Sequence, residues 1–121
     1  MSESLRIALA QLDLLVGDVQ GNLTQLVRAA RVAQEEHRAD LTLFPELALS
    51  GYPPEDLLFH RGFRTQIDGA LEQLCGENFA GHVLVGFPEY VDTGIANAAA
   101  LIAAGRVEAG SANPQPREAH E

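Results

Sequence analysis

In "LTLFPELALSGY", residues 41–52, one carboxylate, Glu46, interrupts an otherwise nearly apolar run. An ionised carboxylate in such surroundings either finds partners or shifts toward its neutral form. Two readings of Glu46 stand side by side. Pro45 could be the first residue of a helix, with Glu46 an acid favoured by the dipole of its first turn. In the other, Glu46 stands at the carboxyl end of an apolar strand, where α/β folds keep their chemistry. Partial burial there would raise its proton affinity and suit it to general-base work.

The other reactive side chains support less. Cys75 lies four residues after Leu71 and eight after Ile67, so it extends an apolar helical stripe and reads as a structural thiol. No histidine or lysine stands near it in sequence to lower its pKa. His37, His60, His82 and His120 show no HxH or HxxxH spacing, which speaks against a metal site. Ser50, in "ALSGY", lacks the G-x-S-x-G elbow of a serine hydrolase. Gly81 and Gly86 are followed by no Lys-Ser/Thr, so they form no phosphate loop. Tyr52 and Asn97 are polar groups at turn or strand ends, open to a pocket role or a surface role.

These residues need elements to position them. "RIALAQL" (Arg6–Leu12) suits a buried strand, and "VGDVQGN" follows as a loop. Asn22, three residues before Gln25, has the arrangement of a helix N-cap. Leu23, Leu26, Val27, Ala30 and Ala33 then recur at helical spacing, with an end expected near His37. "LTLF" is a second strand, and Pro53-Pro54 before Glu55 and Asp56 opens another helical region. That region carries Leu57, Phe63, Ile67, Leu71 and Leu74, and Gly76 could stop it. "HVLVGF" (His82–Phe87) is a third strand and "IANAAALIAA" (Ile95–Ala104) a fourth, although its alanines leave helix open. From residue 108 the chain is polar, carries two prolines and shows no periodicity, the signature of a disordered tail over 108–121. The order β-α-β-α-β-β implies an α/β layered fold.

At 121 residues the chain has the size of one domain with a real core. The formal charge of −9 argues against a nucleic-acid surface. No apolar run approaches a membrane span, and the start reads as a mature cytosolic N-terminus opening on a strand. A lone cysteine excludes an internal disulfide framework and fits a reducing, cytoplasmic compartment. All eight basic residues are arginine, and the sequence holds no lysine.

Assembled, "RIALAQLD", the following helix, "ADLTLFPELALSGYPPEDLL", "VLVGFPE" and "ANAAALIAAGRV" resemble the N-terminal part of the nitrilase, or carbon-nitrogen hydrolase, superfamily. "FPELALSGYP" is the specific piece, and its extension "PEDLL" is similar to the glutaminase domain of glutamine-dependent NAD synthetases. The resemblance covers residues 5–107, taken here as a partial domain over 1–107. It implies the N-terminal part of an α-β-β-α sandwich and a Glu-Lys-Cys triad acting on glutamine. Glu46 matches the general base, the cysteine attacks the side-chain amide to give a thioester and ammonia, and the lysine stabilises the oxyanion. Tyr52 matches an aromatic, substrate-binding position. No cofactor is implied for the glutaminase domain. ATP and deamido-NAD belong to a second, synthetase domain that this sequence does not contain.

The sequence departs from that pattern after "GRV". The family's lysine falls near Asn113, and Cys75 precedes that position, in the wrong element for the nucleophile. The expectation is an inactive fragment, its abrupt loss of pattern reflecting a changed reading frame or early stop. An apolar sheet face without its partner layer invites self-association. The rivals are a fragment of another amidase or carbamoylase, which "YPPEDLL" disfavours, and a non-catalytic module binding a partner through its open sheet.

Overall fold

Short apolar runs alternating with amphipathic helices leave one economical arrangement, a sheet with its helices packed on a face. The computed structural model has this form and describes residues 4–51, 55–91 and 94–114. In chain order the elements are β1 (Ile7–Leu9), α1 (Val19–Glu35), β2 (Leu41–Leu43), α2 (Glu55–Leu58), α3 (Arg61–Gly76), β3 (His82–Val91), β4 (Gly94–Ala103) and β5 (Arg106–Pro114). The five strands lie side by side in sequence order. β1, β2 and β3 run parallel, whereas β4 and β5 return antiparallel.

One face of this sheet is closed by α1 and α3. Val83, Val85 and Phe87 of β3 and Ala98, Ala100 and Ile102 of β4 meet Leu23, Leu26 and Ala30 of α1 and Phe63, Ile67 and Leu74 of α3 in a single core. Phe63 is 2% exposed, and burying a side chain of that size stabilises by roughly 1.5–3 kcal/mol. At the far end of the helices Arg31 donates to the Glu77 carboxylate and to its backbone oxygen, at 2.8 and 2.9 Å, and lies 4.8 Å over the Phe79 ring. Tyr90 ties β3 to α2 by donating to the Leu58 carbonyl at 2.5 Å. Burial raises its phenol above the usual range; Arg64, stacked over the ring, opposes this and Asp68 adds to it.

Two expectations change and one holds. Helix α1 is capped by Asp18, whose carboxylate accepts from Gly21 N at 3.0 Å, and not by Asn22, which lies inside the helix and is fully buried. Helix α3 does end at Gly76, where a stop was expected, and the chain turns two residues later at Asn78 in the left-handed region, φ 52°. Residues 108–114, expected within a disordered tail, belong to β5, which pairs with β4 from Arg106 to Pro114. An antiparallel ladder is built from backbone groups, so polar and small residues join it without an apolar repeat. Residues 115–121 lie outside the described residues. The run 94–103, left open to helix, is strand.

Strand alternation sends the other side chains to the opposite face. Ile7, Leu9, Leu41, Leu43, Leu84 and Leu101 line up there by register, and no described helix covers them. Ile7 and Leu9 are 47% and 74% exposed. The class is therefore α/β, one helix layer on one sheet.

Candidate functional site

β2 ends at Leu43, and the chain continues along β3: Phe44 N donates to Leu84 O and Leu49 N to Gly86 O, both at 3.2 Å. Residues 46–50 form a turn, so Pro45 does not begin a helix, and Glu46 stands just beyond the carboxyl end of an apolar strand. The strand-end reading of Glu46 is the one the fold takes. The expected partial burial is not met within these residues, where Glu46 is exposed. Its carboxylate has a partner instead, the Asn97 side chain of β4, which donates from Nδ2 to Oε2 at 2.5 Å.

Close approach of backbone to backbone makes this turn possible. A Cβ on Gly86 would lie 2.6 Å from Leu47 N and 3.4 Å from the Glu46 Cα, so only glycine lets the turn lie on β3. Leu47 itself takes a left-handed backbone, φ 52°. Behind the turn, Asn22 joins two loops. Its Nδ2 donates to Leu15 O (2.8 Å) and Leu49 O (3.1 Å), and its Oδ1 accepts from Leu15 N (2.9 Å). Ser50 is fully buried and donates its hydroxyl to Gly51 O at 2.8 Å, a turn contact that leaves no nucleophile role for it.

Glu46 and Asn97 border a depression of about 270 Å³ with Phe44, Pro45, Leu84, Gly86, Ala98 and Ala99, on the sheet face without helices. Its floor is small and apolar. Such a site can orient a carboxylate to take a proton from a group placed before it. Among its lining residues there is no thiol, hydroxyl or amine to attack an amide. A larger depression of about 760 Å³, bordered by Arg38, Asp40 and His82, opens at the other end of the parallel strands and brings no comparable constellation together.

Asn97 was legible only as a pocket candidate; the fold brings it to Glu46. Cys75, half-buried near the end of α3, packs against the helix-side core. Its carbonyl approaches the Gly105 turn between β4 and β5, at the end of the sheet where β3 begins. Cys75 and Glu46 thus occupy opposite ends. Tyr52 lies outside the described residues. Three histidines are separate: His60 caps α3 by accepting from Gly62 N at 3.3 Å, His82 lies 3.7 Å from Glu108, and the His37 carbonyl accepts from Arg6. Among the described residues no three His, Cys, Asp or Glu side chains converge as a metal site needs.

The register adds one more position. Asn97 pairs with Pro88 of β3 on one side and with Asn113 of β5 on the other. Residue 113 is therefore the β5 position next to the residue that holds Glu46.

Comparison with known proteins agrees with this arrangement. The carbon-nitrogen hydrolase family pattern matches residues 6–78. A glutamine-dependent NAD(+) synthetase of Xylella fastidiosa is 43% identical over 108 residues, covering 89% of this chain and 20% of the relative. The Thermotoga maritima glutamine-dependent NAD(+) synthetase is 41% identical over 105 residues, covering 85% and 18%. The chain thus spans about one-fifth of the length of these relatives. Among solved structures, glutamine-dependent NAD+ synthetase from Acinetobacter baumannii superposes with a TM-score of 0.83 at 30% identity, over 92% of this chain and 21% of that one. An amidase of the nitrilase superfamily from Nesterenkonia superposes with a TM-score of 0.75 at 29% identity, over 92% and 43%.

Proposed function

Since this chain belongs to the carbon-nitrogen hydrolase family, we propose that residues 1–107 are the N-terminal part of a glutaminase domain in which Glu46 is the general base. The relatives matched along most of the chain are glutamine-dependent NAD(+) synthetases, which supports glutamine as the substrate class and NAD biosynthesis as the setting. ATP and deamido-NAD would be handled by a synthetase domain outside these 121 residues. A cytoplasmic location fits a single free, half-buried thiol, and the net charge of −9 disfavours binding to nucleic acid. No described helix is long and apolar enough to cross a membrane.

We further propose that these 121 residues alone do not hydrolyse glutamine. One observation carries this. In the β5 register residue 113, near which the resemblance puts the oxyanion-stabilising lysine, lies beside the Glu46 partner Asn97, and that residue is asparagine in a sequence without lysine. The only thiol, Cys75, lies at the other end of the sheet from Glu46. A general base with neither nucleophile nor oxyanion partner has lost a cooperating unit, and such losses cost about 10⁴-fold or more in rate.

Ammonia release from glutamine by the purified chain tests it. The expected rate equals that of buffer and does not change in Glu46→Gln. Ammonia release that Glu46→Gln abolishes would overturn the proposal.

The uncovered face bears on the chain's assembly. Its apolar row from Ile7 to Leu101 is the kind of patch that drives association. The chain is expected to elute from size exclusion well above its monomer mass of 13.0 kDa; a compact monomer at micromolar concentration would count against association through this face.

A further inference from the structure

We propose that Asn97 is a positioning residue for Glu46, holding it as an oriented, ionised carboxylate before any other member of a catalytic unit is in place. A glutamate exposed on a turn ordinarily samples several rotamers, and a base with a wandering carboxylate transfers protons poorly. Here the acid and its partner both lie within residues 44–97.

The argument begins at the backbone. The Glu46 turn is pinned to β3 by Phe44 N to Leu84 O and Leu49 N to Gly86 O. The missing Cβ of Gly86 lets the turn lie flat there. Asn97 comes from a different element, 51 residues along the chain, so the contact depends on the fold and not on local sequence. Its strand is held on both sides, by β3 and β5, and its neighbours Ala96 and Ala98 are 1% and 5% exposed. The amide therefore projects from a strand paired along both edges.

Chemistry then selects a charge state. An amide nitrogen donates and cannot accept. With Nδ2 facing Oε2, that oxygen must offer a lone pair, and an ionised carboxylate does so best. The reverse orientation of the amide would set Oδ1 against Oε2, two acceptors, tolerable only for a protonated acid. In the orientation observed, Asn97 thus sets the direction of Oε2 and favours the ionised form of Glu46.

This inference rests on the reading of Glu46 as a proton acceptor, but its test follows the pairing and not catalysis. The probe is a water-soluble carbodiimide with an amine nucleophile, applied to the whole chain from about pH 5 upward, where carboxyl groups begin to ionise fully. Peptide mass spectrometry reads the modification rate at each carboxylate. In Asn97→Ala the rate at Glu46 should rise by roughly threefold to tenfold, as expected when a charge-assisted hydrogen bond is removed from an exposed group. Its pH profile should move to higher pH, while exposed Glu36 and Glu89 keep their rates and profiles. A merely structural asparagine would leave the Glu46 profile where it was. Asn97→Asp, equal in shape but without the donor, guards against an unfolded alanine variant and should raise the Glu46 rate further through like charge. An unchanged Glu46 profile in either folded variant, with circular dichroism as the check, overturns the proposal. Glutamine hydrolysis by the unmodified chain would instead overturn the proposed inactivity and leave this pairing standing.

Discussion

Replacing Asn22 by leucine will lower the stability of the chain by about 2–4 kcal/mol, a large part of what a domain this size possesses. Asn22 is 0% exposed, and its carboxamide joins Leu15 to Leu49 through three hydrogen bonds. Leucine keeps the branched heavy-atom skeleton but has bulkier methyl ends, so the loss of polar partners is joined by some overpacking. Leu49 O would lose the Asn22 bond in a buried setting, at about 1–3 kcal/mol, and Leu15 N would lose one in a partly buried setting, at about 1 kcal/mol. Leu15 O would keep the donor Asp18 N at 3.2 Å, which limits the damage at that group. Urea denaturation followed by circular dichroism, with both proteins at equal concentration, measures the difference. A loss under about 1 kcal/mol, the size of one ordinary hydrogen bond, would mean that the two loops do not depend on Asn22. The consequence also reaches the site. Leu49 belongs to the turn that carries Glu46, so a loosened Leu49 O frees that turn from behind.

The same residue shows where sequence reasoning stops. Asn22 with Gln25 three positions on has the local form of a helix cap, and nothing local distinguishes a cap from a buried amide. The deciding partner, Leu49 O, is 27 residues away. Asp18, the actual cap, stood four positions earlier in a loop with two glycines and gave an equally local signal. Helix periodicity was robust because burial of Leu23, Leu26, Ala30 and Ala33 is a property of one face. Strand β5 was invisible for the opposite reason: its pairing is made by backbone groups, and "EAGSANP" carries no apolar alternation for a reader to follow. Glu46 was legible because an acid between apolar neighbours is rare enough to ask for a cause. Asn97 was only half legible. It sits among alanines whose small side chains blur which face is which, and its role appears once β4 is laid beside β3 and the Glu46 turn folds over both.

The other large effect follows from a substitution that should act in opposite directions at two glycines. Gly69 lies inside α3, and a Cβ there meets nothing within 4 Å. Gly69→Ala is expected to stabilise by about 0.5–1 kcal/mol, because alanine loses less backbone freedom on folding and suits a helix better. Gly86→Ala places the same methyl 2.6 Å from Leu47 N. The obstacle is backbone, not the flexible end of a side chain, so the turn must lift from β3. Lifting it strains or breaks the Leu49 N to Gly86 O bond and draws Glu46 away from Asn97. Overpacking of this kind and one lost hydrogen bond together cost about 2–4 kcal/mol. Equilibrium unfolding of the two variants under one set of conditions provides the test. If Gly86→Ala matched Gly69→Ala in sign, the turn would have room to spare and the close packing of the acid arm on β3 would be wrong. The expected divergence locates the constraint in geometry: the methyl group is identical, and only the distance to the next backbone atom differs.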